Sequence, residues 1–350
     1  MNMVKEYKYM VATRCFTYNH APYIVDAMNG FVMQETTFPV VTCIVDDAST
    51  DGEQDVIKRY ITEHFQAPYR TEDNDDYQLI CAKHNTNPNC IFVVFLLKYN
   101  HYSIKKAKAP YLREWDDNVL YYASCEGDDY WIATDKLQKQ VEFLEINPDC
   151  EMVCSASKIY VQGVGMKKGI HGHPYRGIEE LLKGNFIFNA SVVKRKSLND
   201  RYLQEIGSHP DWKMGDWPRI LHCAIVSKIG YMDEPMAVYR VLPNSASHFE
   251  SFDKFKSFYE NSVSVSKFFI DKYDLDADSL YPILDEWLNQ RLLMKACSVG
   301  NVALVNQYKR GVNGLSTKEK IIVFLSCHPF TNVMYGWFKK TRKFVGGVWH

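Results

Sequence analysis

The sequence predicts an α/β fold built on parallel strands, followed by an α-helical C-terminal appendage. Short apolar, β-prone runs alternate with helical patterns over the first half of the chain, and this alternation is typical of α/β domains. Two of the apolar runs end directly in clusters of acidic residues, at the end of the strand where ligands collect in open α/β sheets. From Phe252 onward the pattern is helical, with no glycine before Gly300. A ligand site is therefore expected in the sheet-containing part of the chain.

The composition is that of a globular protein. Hydrophobic residues make up 46% and charged residues 24% of 350 residues, enough for one large domain with an appendage or for two modest domains. The formal net charge of -1 offers no polycationic face, so no nucleic-acid partner is expected. The ten cysteines lack paired CxxC spacings and mostly lie in apolar runs. They predict buried thiols in a reducing compartment instead of a zinc site.

The N-terminus and the hydropathy pattern predict a cytoplasmic protein. The first residues contain no apolar core of a signal peptide, and no apolar window is long enough to span a bilayer. The tail from Trp337 to Trp349 mixes aromatic and basic residues, as an interfacial anchor would. Two interpretations stay open for this tail: a peripheral contact at the inner membrane face, or a packed terminal helix.

The first elements are read from residues 10 to 61. An apolar strand over 10–16 is broken by residues 17–22, and a helix follows with its apolar positions at helical spacing. Residues 40–45 form a second buried-strand pattern, which ends in Asp46 and Asp47. Thr50 and Glu53 have the spacing of a capping box for the next helix. Strand, helix, strand, helix implies parallel pairing through right-handed crossovers.

The middle segment is harder to assign. Residues 72–76 read as a solvated acidic loop, and residues 77–81 as a third strand. Residues 90–100 are so apolar that periodicity alone cannot separate a strand from a buried helix. The lysines between 98 and 108 suit a helix C-terminus, so we predict a helix there.

The run at residues 119–131 is the most informative stretch. An apolar strand over 119–125 ends in Glu126, Asp128 and Asp129, followed by Trp131. Three carboxylates within four residues repel one another unless a cation holds them, and oxygen-only ligands suit magnesium or manganese. The alternative is a charged turn that leads into the next helix, which begins at about residue 134 and ends before Pro148.

The rest of the first 250 residues continues the α/β pattern. We predict a short strand at 152–155, an exposed glycine-rich loop at 163–177, a short helix at 178–182 and a strand at 185–195. Asp216 and Trp217 precede a proline and an amphipathic helix, so Asp216 is either functional or a helix N-cap. A β-prone run at 236–241 contains Arg240, for which a surface ion pair is the alternative to a site role.

Five blocks in this order closely resemble the family 2 glycosyltransferases of bacteria. The blocks are residues 16–19, 45–52, 126–140, 215–217 and 238–240, and the resemblance covers residues 8–248. It implies a GT-A fold, in which a Rossmann-like nucleotide half (about 1–130) is merged with an acceptor half (about 131–249). Residues 250–350 then form the helical extension. It also implies an inverting transfer from a nucleotide-sugar, with a UDP-sugar as the expected donor.

The resemblance implies a role for each matching position. Nucleotide binding falls to Phe16, Thr17, Tyr18, Asn19, Asp46, Asp47, Ser49, Asp128 and Arg240. Within this set Asp47 would accept the imino hydrogen of the pyrimidine base. The segment from Tyr239 to Ser247 resembles the late loop that closes on the diphosphate, and Arg240 would be its cation.

The remaining roles concern the metal, the base and the acceptor. A divalent ion, Mg²⁺ or Mn²⁺, would bridge the diphosphate and the acidic cluster. The resemblance assigns direct binding to Asp128 and Asp129 in preference to Glu126, because the first acid of the family's motif is Asp and here it is Glu. Asp216 matches the general base. Trp131 and Trp217 lie beside acids and could stack on the sugar or acceptor, or could be core aromatics.

The expected function is a metal-dependent, hexosyltransferase-type enzyme that transfers a sugar to a glycan or lipid-linked acceptor in surface polysaccharide synthesis. Two other functions are alternatives to this one. A catalytically silent protein of the same fold could bind a glycan or a nucleotide. A sugar-nucleotide pyrophosphorylase would need a glycine-rich phosphate loop after the first strand, and residues 16–22 contain no glycine.

Overall fold

The computed structural model describes residues 8–243, 249, 251–329 and 331. The chain forms two compact units. The first comprises Met1–Gly177, Asn185–Pro210 and Arg219–Pro243, and the second comprises Ile178–Gly184, Asp211–Pro218 and Asn244–His350. The predicted tail from Trp337 to Trp349 and the residues after Pro243 up to His248 lie outside the described residues.

The first unit contains one large mixed sheet. Its strands are β1 (Val11–Thr17), β2 (Val40–Asp46), β3 (Arg70–Asp73), β4 (Tyr77–Lys83), β5 (Cys90–Leu97), β6 (Tyr121–Ser124), β7 (Tyr130–Trp131), β8 (Cys150–Val161), β9 (Gly165–Met166), β10 (Val192–Arg195) and β11 (Lys228–Val241). Their order is β3-β4-β5-β2-β1-β6-β10-β8-β11-β7, and β9 pairs with β8. The strands β5, β2, β1 and β6 are parallel neighbours, as the alternating pattern predicts.

The helices are α1 (Ile24–Val32), α2 (Glu53–His64), α3 (Ala109–Asp116), α4 (Lys136–Ile146), α5 (Ile178–Lys183), α6 (Lys196–Glu205), α7 (Trp217–Val226), α8 (Phe252–Lys272), α9 (Ala277–Val299), α10 (Val302–Tyr308) and α11 (Thr317–Ser326). Helices α5 and α8 to α11 belong to the second unit. No helix among the described residues is long and apolar enough to cross a membrane.

The prediction of a helix over residues 90–100 is wrong, because β5 is a central strand covered on both faces. Its even-numbered side chains, such as Phe92 and Val94, pack in one core cluster, while its odd-numbered side chains, such as Val93 and Phe95, pack in another. Since both faces are buried, the strand has no polar alternation that would distinguish it from a buried helix.

Helix α2 begins differently from the predicted capping box. Its N-cap is Gly52, in a left-handed conformation with φ 89° and with no side chain to cap the helix, and the N–H of Glu53 donates instead to Asp51 Oδ1 at 3.1 Å. The Glu53 side chain is directed instead to the loop after β1. The ten cysteines are free and nine of them are buried, as predicted.

Candidate functional site

The loops that follow β1, β2 and β6 meet at one edge of the sheet. The three strands are parallel, so their carboxyl ends lie together. The backbone N–H of Asp47 donates to the carbonyl of Thr17 at 3.0 Å, and the N–H of Gly127 donates to the carbonyl of Phe16 at 3.3 Å. The structure therefore brings the predicted motifs at 16–19, 46–49 and 126–129 into contact.

Gly127 allows this close approach. A Cβ atom at this position would lie 2.0 Å from Thr17 Oγ1 and 2.6 Å from Thr17 Cβ, distances that no side chain could tolerate without movement of the backbone. The absence of a side chain at Gly127 lets the acidic loop pack directly on the loop after β1. The same packing brings His20 Nε2 to 3.9 Å from Asp128 Oδ2.

The three acids after β6 have different surroundings. Asp129 is 4% exposed, and its Oδ1 accepts the backbone N–H of Arg240 at 2.8 Å. The Asp128 side chain is 21% exposed. Glu126 is half-buried, and its Oε1 accepts a hydrogen bond from Asn189 Nδ2 at 2.6 Å. Asp129 is thus buried beneath the site, while Asp128 has an accessible carboxylate.

The pKa of the Asp129 carboxyl shows that this cluster is rich in negative charge. Burial raises the pKa well above its usual range, and the neighbouring Asp128 and Glu126 raise it further. The hydrogen bond from Arg240 acts in the opposite direction. Neighbouring negative charges disfavour the ionised form of a carboxyl group. A cation bound here would therefore reduce the repulsion among Asp128, Glu126 and Asp129.

The residues fit a divalent cation that shares its coordination with a diphosphate. The described part of the chain has no group of three or more His, Cys, Asp or Glu side chains placed to hold a metal ion. Mg²⁺, however, is commonly bound by one or two carboxylates together with substrate phosphates. Asp128 meets that requirement, with Glu126 beside it. The expectation that Asp129 is a direct ligand is not supported, because its carboxyl group is buried against Arg240.

Asp47 lies beside this cluster with its carboxylate fully engaged. Oδ1 accepts the backbone N–H of His101 at 2.8 Å, and Oδ2 accepts the N–H of Tyr102 at 3.1 Å. Oδ2 also forms an ion pair with Lys108 Nζ at 2.7 Å, and Asp47 is 3% exposed. Recognition of a base by Asp47 stays a prediction. It would require the Asp47 carboxylate to lose its ion pair with Lys108 or its hydrogen bonds to the backbone of residues 101–102.

Several other predicted nucleotide-binding residues are structural. Asp46 is 0% exposed, its Oδ1 accepts hydrogen bonds from Ser49 N–H and from the Gln54 amide, and burial raises its pKa. Thr17 is buried and donates to Glu53 at 2.5 Å. Ser49 Oγ donates to Glu53 at 2.9 Å. The side chains of Asp46, Thr17 and Ser49 are therefore part of one scaffold, and their direct contact with a nucleotide stays a prediction.

The remaining residues of the first motif are open. Phe16 is 37% exposed and Tyr18 is 44% exposed. Asn19 is exposed, with φ 57°, and its Oδ1 accepts the N–H of Thr50 at 2.8 Å. Lys108 Nζ lies 5.9 Å from the centre of the Phe16 ring. These side chains form an accessible surface with an aromatic ring and a cation at the same edge as Asp128.

Arg240 lies near the end of β11, within the β-prone run predicted at 236–241. It is 6% exposed. Its guanidinium donates to Asp26 Oδ2 at 2.6 Å and to the Asp128 carbonyl at 2.8 Å. The guanidinium is itself buried, although the Asp26 side chain is 51% exposed, and its bond to the Asp128 carbonyl suits a positioning role. Direct contact of Arg240 with a diphosphate stays a prediction.

Trp131 and Trp217 are core aromatics, so the expectation that they stack on a sugar is wrong. Trp131 is 2% exposed and Trp217 is 0% exposed. Each indole N–H donates to a backbone carbonyl, that of Ala190 at 2.8 Å and that of Leu181 at 2.9 Å, respectively. A ring without exposed faces cannot receive a sugar.

Asp216 is half-buried and immediately precedes α7. It belongs to the second unit, whereas Asp47 and the acids at 126–129 belong to the first. Its role as general base stays a prediction.

Four residues with direct contacts to the site motifs were not predicted: His20, Glu53, Lys108 and Asn189. Their residue types are common on protein surfaces, and only the fold brings them to the acids. The lysines near residue 105 had no assigned role. A long-range ion pair between Lys108 and Asp47 carries no local sequence signal.

No protein-family model matches the chain. The uncharacterized protein Rv1520 of Mycobacterium tuberculosis is 29% identical over 227 residues, which are 64% of this chain and 56% of that protein. The chain thus spans little more than half the length of this relative. TuaG of Bacillus subtilis, provisionally named a teichuronic acid biosynthesis glycosyltransferase, is 26% identical over 247 residues, 69% of this chain and 82% of TuaG.

Solved structures of S. aureus TarS share the fold. The complex of TarS residues 1–349 with UDP-GlcNAc superposes with a TM-score of 0.54 at 15% identity, covering 87% of this chain and 82% of that chain. The complex with UDP gives a TM-score of 0.51 at 16% identity, covering 91% and 78%. The predicted GT-A-like fold, a mixed sheet flanked by helices with helices at the C-terminus, is confirmed.

Proposed function

Because the chain has the GT-A fold of glycosyltransferases, we propose that it is a metal-dependent, inverting glycosyltransferase. It moves a sugar from a nucleotide-sugar, a UDP-sugar in the first instance, to a glycan or lipid-linked acceptor. The observation that carries this proposal is the acid cluster: an accessible Asp128 carboxylate between Glu126 and the buried Asp129. The UDP and UDP-GlcNAc complexes of TarS and the name of TuaG support the choice of donor and a role in surface polysaccharide synthesis.

The chain's own residues would supply three parts of the chemistry. Asp128, with Glu126, would hold the divalent cation, which when bound neutralises charge on the diphosphate. The open surface of Phe16, Tyr18 and Asn19 would accept the nucleoside. The position of Asp128 is fixed from behind by the bond between its carbonyl and Arg240.

Asp216 would complete the reaction as general base. The acceptor oxygen attacks the anomeric carbon from the face opposite the diphosphate, and its proton passes to the Asp216 carboxylate. The bond from the anomeric carbon to the phosphate oxygen breaks, and its electron pair stays with the nucleoside diphosphate. A positioned carboxylate base contributes about 10²- to 10⁴-fold to such a rate.

A screen of nucleotide-sugars for metal-dependent release of nucleoside diphosphate tests the proposal. We expect turnover with at least one donor and a loss of about 10²-fold or more in Asp128→Asn, since a metal's charge stabilisation is worth several kcal/mol. Asp55→Asn is the matched control, because Asp55 is an exposed acid in the first turn of α2. An unchanged rate in Asp128→Asn contradicts the proposal.

The second candidate is a catalytically silent protein that binds a nucleotide. The engagement of Asp47 with Lys108 favours it, because a carboxylate already neutralised within the protein is less available to a donor. Calorimetry with UDP and Mn²⁺ separates the two. Metal-dependent binding without turnover of any donor favours the silent protein, and absence of both excludes the enzyme.

A further inference from the structure

The loop at residues 211–216, here called the base loop, is held at its start by helix α8. Asn261 Oδ1 accepts the backbone N–H of Lys213 at 2.9 Å, and Asn261 Nδ2 donates to the carbonyl of Asp211 at 3.1 Å. Lys213 Nζ also donates to Ser257 Oγ, one helical turn earlier on α8, at 2.6 Å. One amide side chain thus fixes two peptide groups of the base loop.

A second contact strengthens the attachment at the same end. The Trp212 ring packs against Phe268 and Phe269 of α8, with ring centres 5.3 and 6.0 Å apart. Phe269 is fully buried. The main-chain bonds to Asn261 are therefore reinforced by aromatic packing, and both come from the same helix.

The residue after the base loop is held by the same unit. The buried Trp217 donates through its indole N–H to the carbonyl of Leu181 in α5 at 2.9 Å. The next carbonyl of α5, that of Leu182, accepts from Ser266 Oγ of α8 at 2.7 Å. Helix α8 therefore holds the start of the loop directly and its end through α5, with Asp216 in between.

We propose that Asn261 is a positioning residue for Asp216, and that helix α8 serves to hold the base loop in its reactive conformation. This inference rests on the proposed function, in which Asp216 removes the acceptor proton. An Asn amide has one acceptor and one donor group, and here both act on the backbone of one short segment. Catalytic rates depend on placement of the reacting groups to within about 1 Å, and such an error can cost about 10²-fold.

Asn261→Ala tests the inference by two readouts. We expect kcat for transfer to fall by about 10- to 100-fold, with KM for the donor changed less than about threefold, since the proposed donor residues belong to the first unit. Backbone amides of residues 212–216 should exchange with solvent faster, while those of residues 126–129 should not change. Asn261→Asp keeps the acceptor for the Lys213 N–H and loses the donor. Its kcat and its exchange rates at residues 212–216 should lie between those of the wild type and Asn261→Ala.

Asn306→Ala is the matched control, because Asn306 lies in the same unit and its amide also donates to a carbonyl, that of Cys327 at 3.3 Å. An equal loss of kcat in this control, or unchanged exchange at 212–216 in Asn261→Ala, overturns the inference. A wild-type transfer rate in Asp216→Asn overturns it as well, since the loop would then carry no catalytic group. If the wild-type chain transfers no sugar, the proposed function fails, and unchanged loop exchange would separately refute the role of Asn261.

Discussion

Lys136 lies in an environment that is unusual for a lysine. Its side chain is 0% exposed. Its ammonium group donates to Gln140 Oε1 at 2.7 Å and lies 4.4 Å from the centre of the Trp131 ring. Burial lowers its pKa from 10.5 to about 7. Lys136 thus packs in the core against Trp131 and Gln140. Burial of its positive charge lowers the free energy of unfolding.

The pH dependence of stability should reveal this cost. Between about pH 7 and pH 10.5 the unfolded chain keeps the Lys136 proton while the folded protein releases it, so the free energy of unfolding rises with pH. The penalty is fully present below pH 7. Relative to Lys136→Met, the wild-type protein should therefore gain about 3 kcal/mol between pH 7 and pH 9.5.

Urea unfolding of both proteins at the two pH values measures the difference. Lys83→Met is the control, since Lys83 is an exposed lysine in β4, and it should follow the wild-type curve. If the free energy of unfolding changed with pH in the same way in wild type and Lys136→Met, the environment of the Lys136 ammonium group would not disfavour its charged form.

Neighbouring residues of one motif have opposite roles, and this could not be predicted from the sequence. Asp46 is closed off by Ser49 and Gln54, and Asp129 by Arg240, whereas Asp128 is accessible. The motifs predicted correctly that these acids gather at one sheet edge. Which acid faces inward depends on partners far away in sequence, such as Arg240, for which no local pattern exists.

At the scale of elements, Glu53 connects the start of α2 to the loop after β1. Its carboxylate is 0% exposed and accepts hydrogen bonds from the Thr17 hydroxyl, the His20 N–H and the Ser49 hydroxyl, at 2.5, 2.8 and 2.9 Å. Burial raises its pKa, and these hydrogen bonds lower it in part. The two loops that carry the first two motifs therefore share one anchor.

Glu53→Ala should release both loops. We expect a loss of about 2–4 kcal/mol in the free energy of unfolding, since one buried donor and two half-buried donors lose their acceptor. Nucleotide affinity should also fall, because Phe16, Tyr18 and Asn19 lie on one of these loops. Glu63→Ala, an exposed position in the same helix, should change neither quantity. Calorimetry and urea unfolding of both variants check this, and equal stability of the two variants would refute the anchoring role.

The elements that could be predicted are those with a one-sided apolar pattern or a strong boundary. Strands β1, β2, β4 and β6 and helices α1, α4 and α5 lie close to their predicted positions. Five elements, β3, β7, β9, α3 and α6, were not predicted, because each has at most three buried residues. Strand β5 was predicted as a helix because its burial on both faces removes the alternation on which such a prediction depends.

For the whole molecule, the residues named in the proposed function do not all belong to the same compact unit. The acids that would bind the cation and the open surface for the nucleoside belong to the first unit, while Asp216 and the helix that holds its loop belong to the second. Donor binding and proton removal should therefore be separable by mutation. The resemblance predicted both groups of residues, but not that the helical extension supports the base loop.

Asp216→Asn and Asp128→Asn should fail in different ways. An amide cannot remove a proton, so Asp216→Asn should lose about 10²- to 10⁴-fold in kcat for transfer while it binds UDP and Mn²⁺ with affinity within about threefold of the wild type. Asp128→Asn should lose metal-dependent UDP binding as well as transfer. If both variants lose nucleotide affinity equally, the division of roles is wrong, and Asp216 belongs to donor binding instead of proton removal.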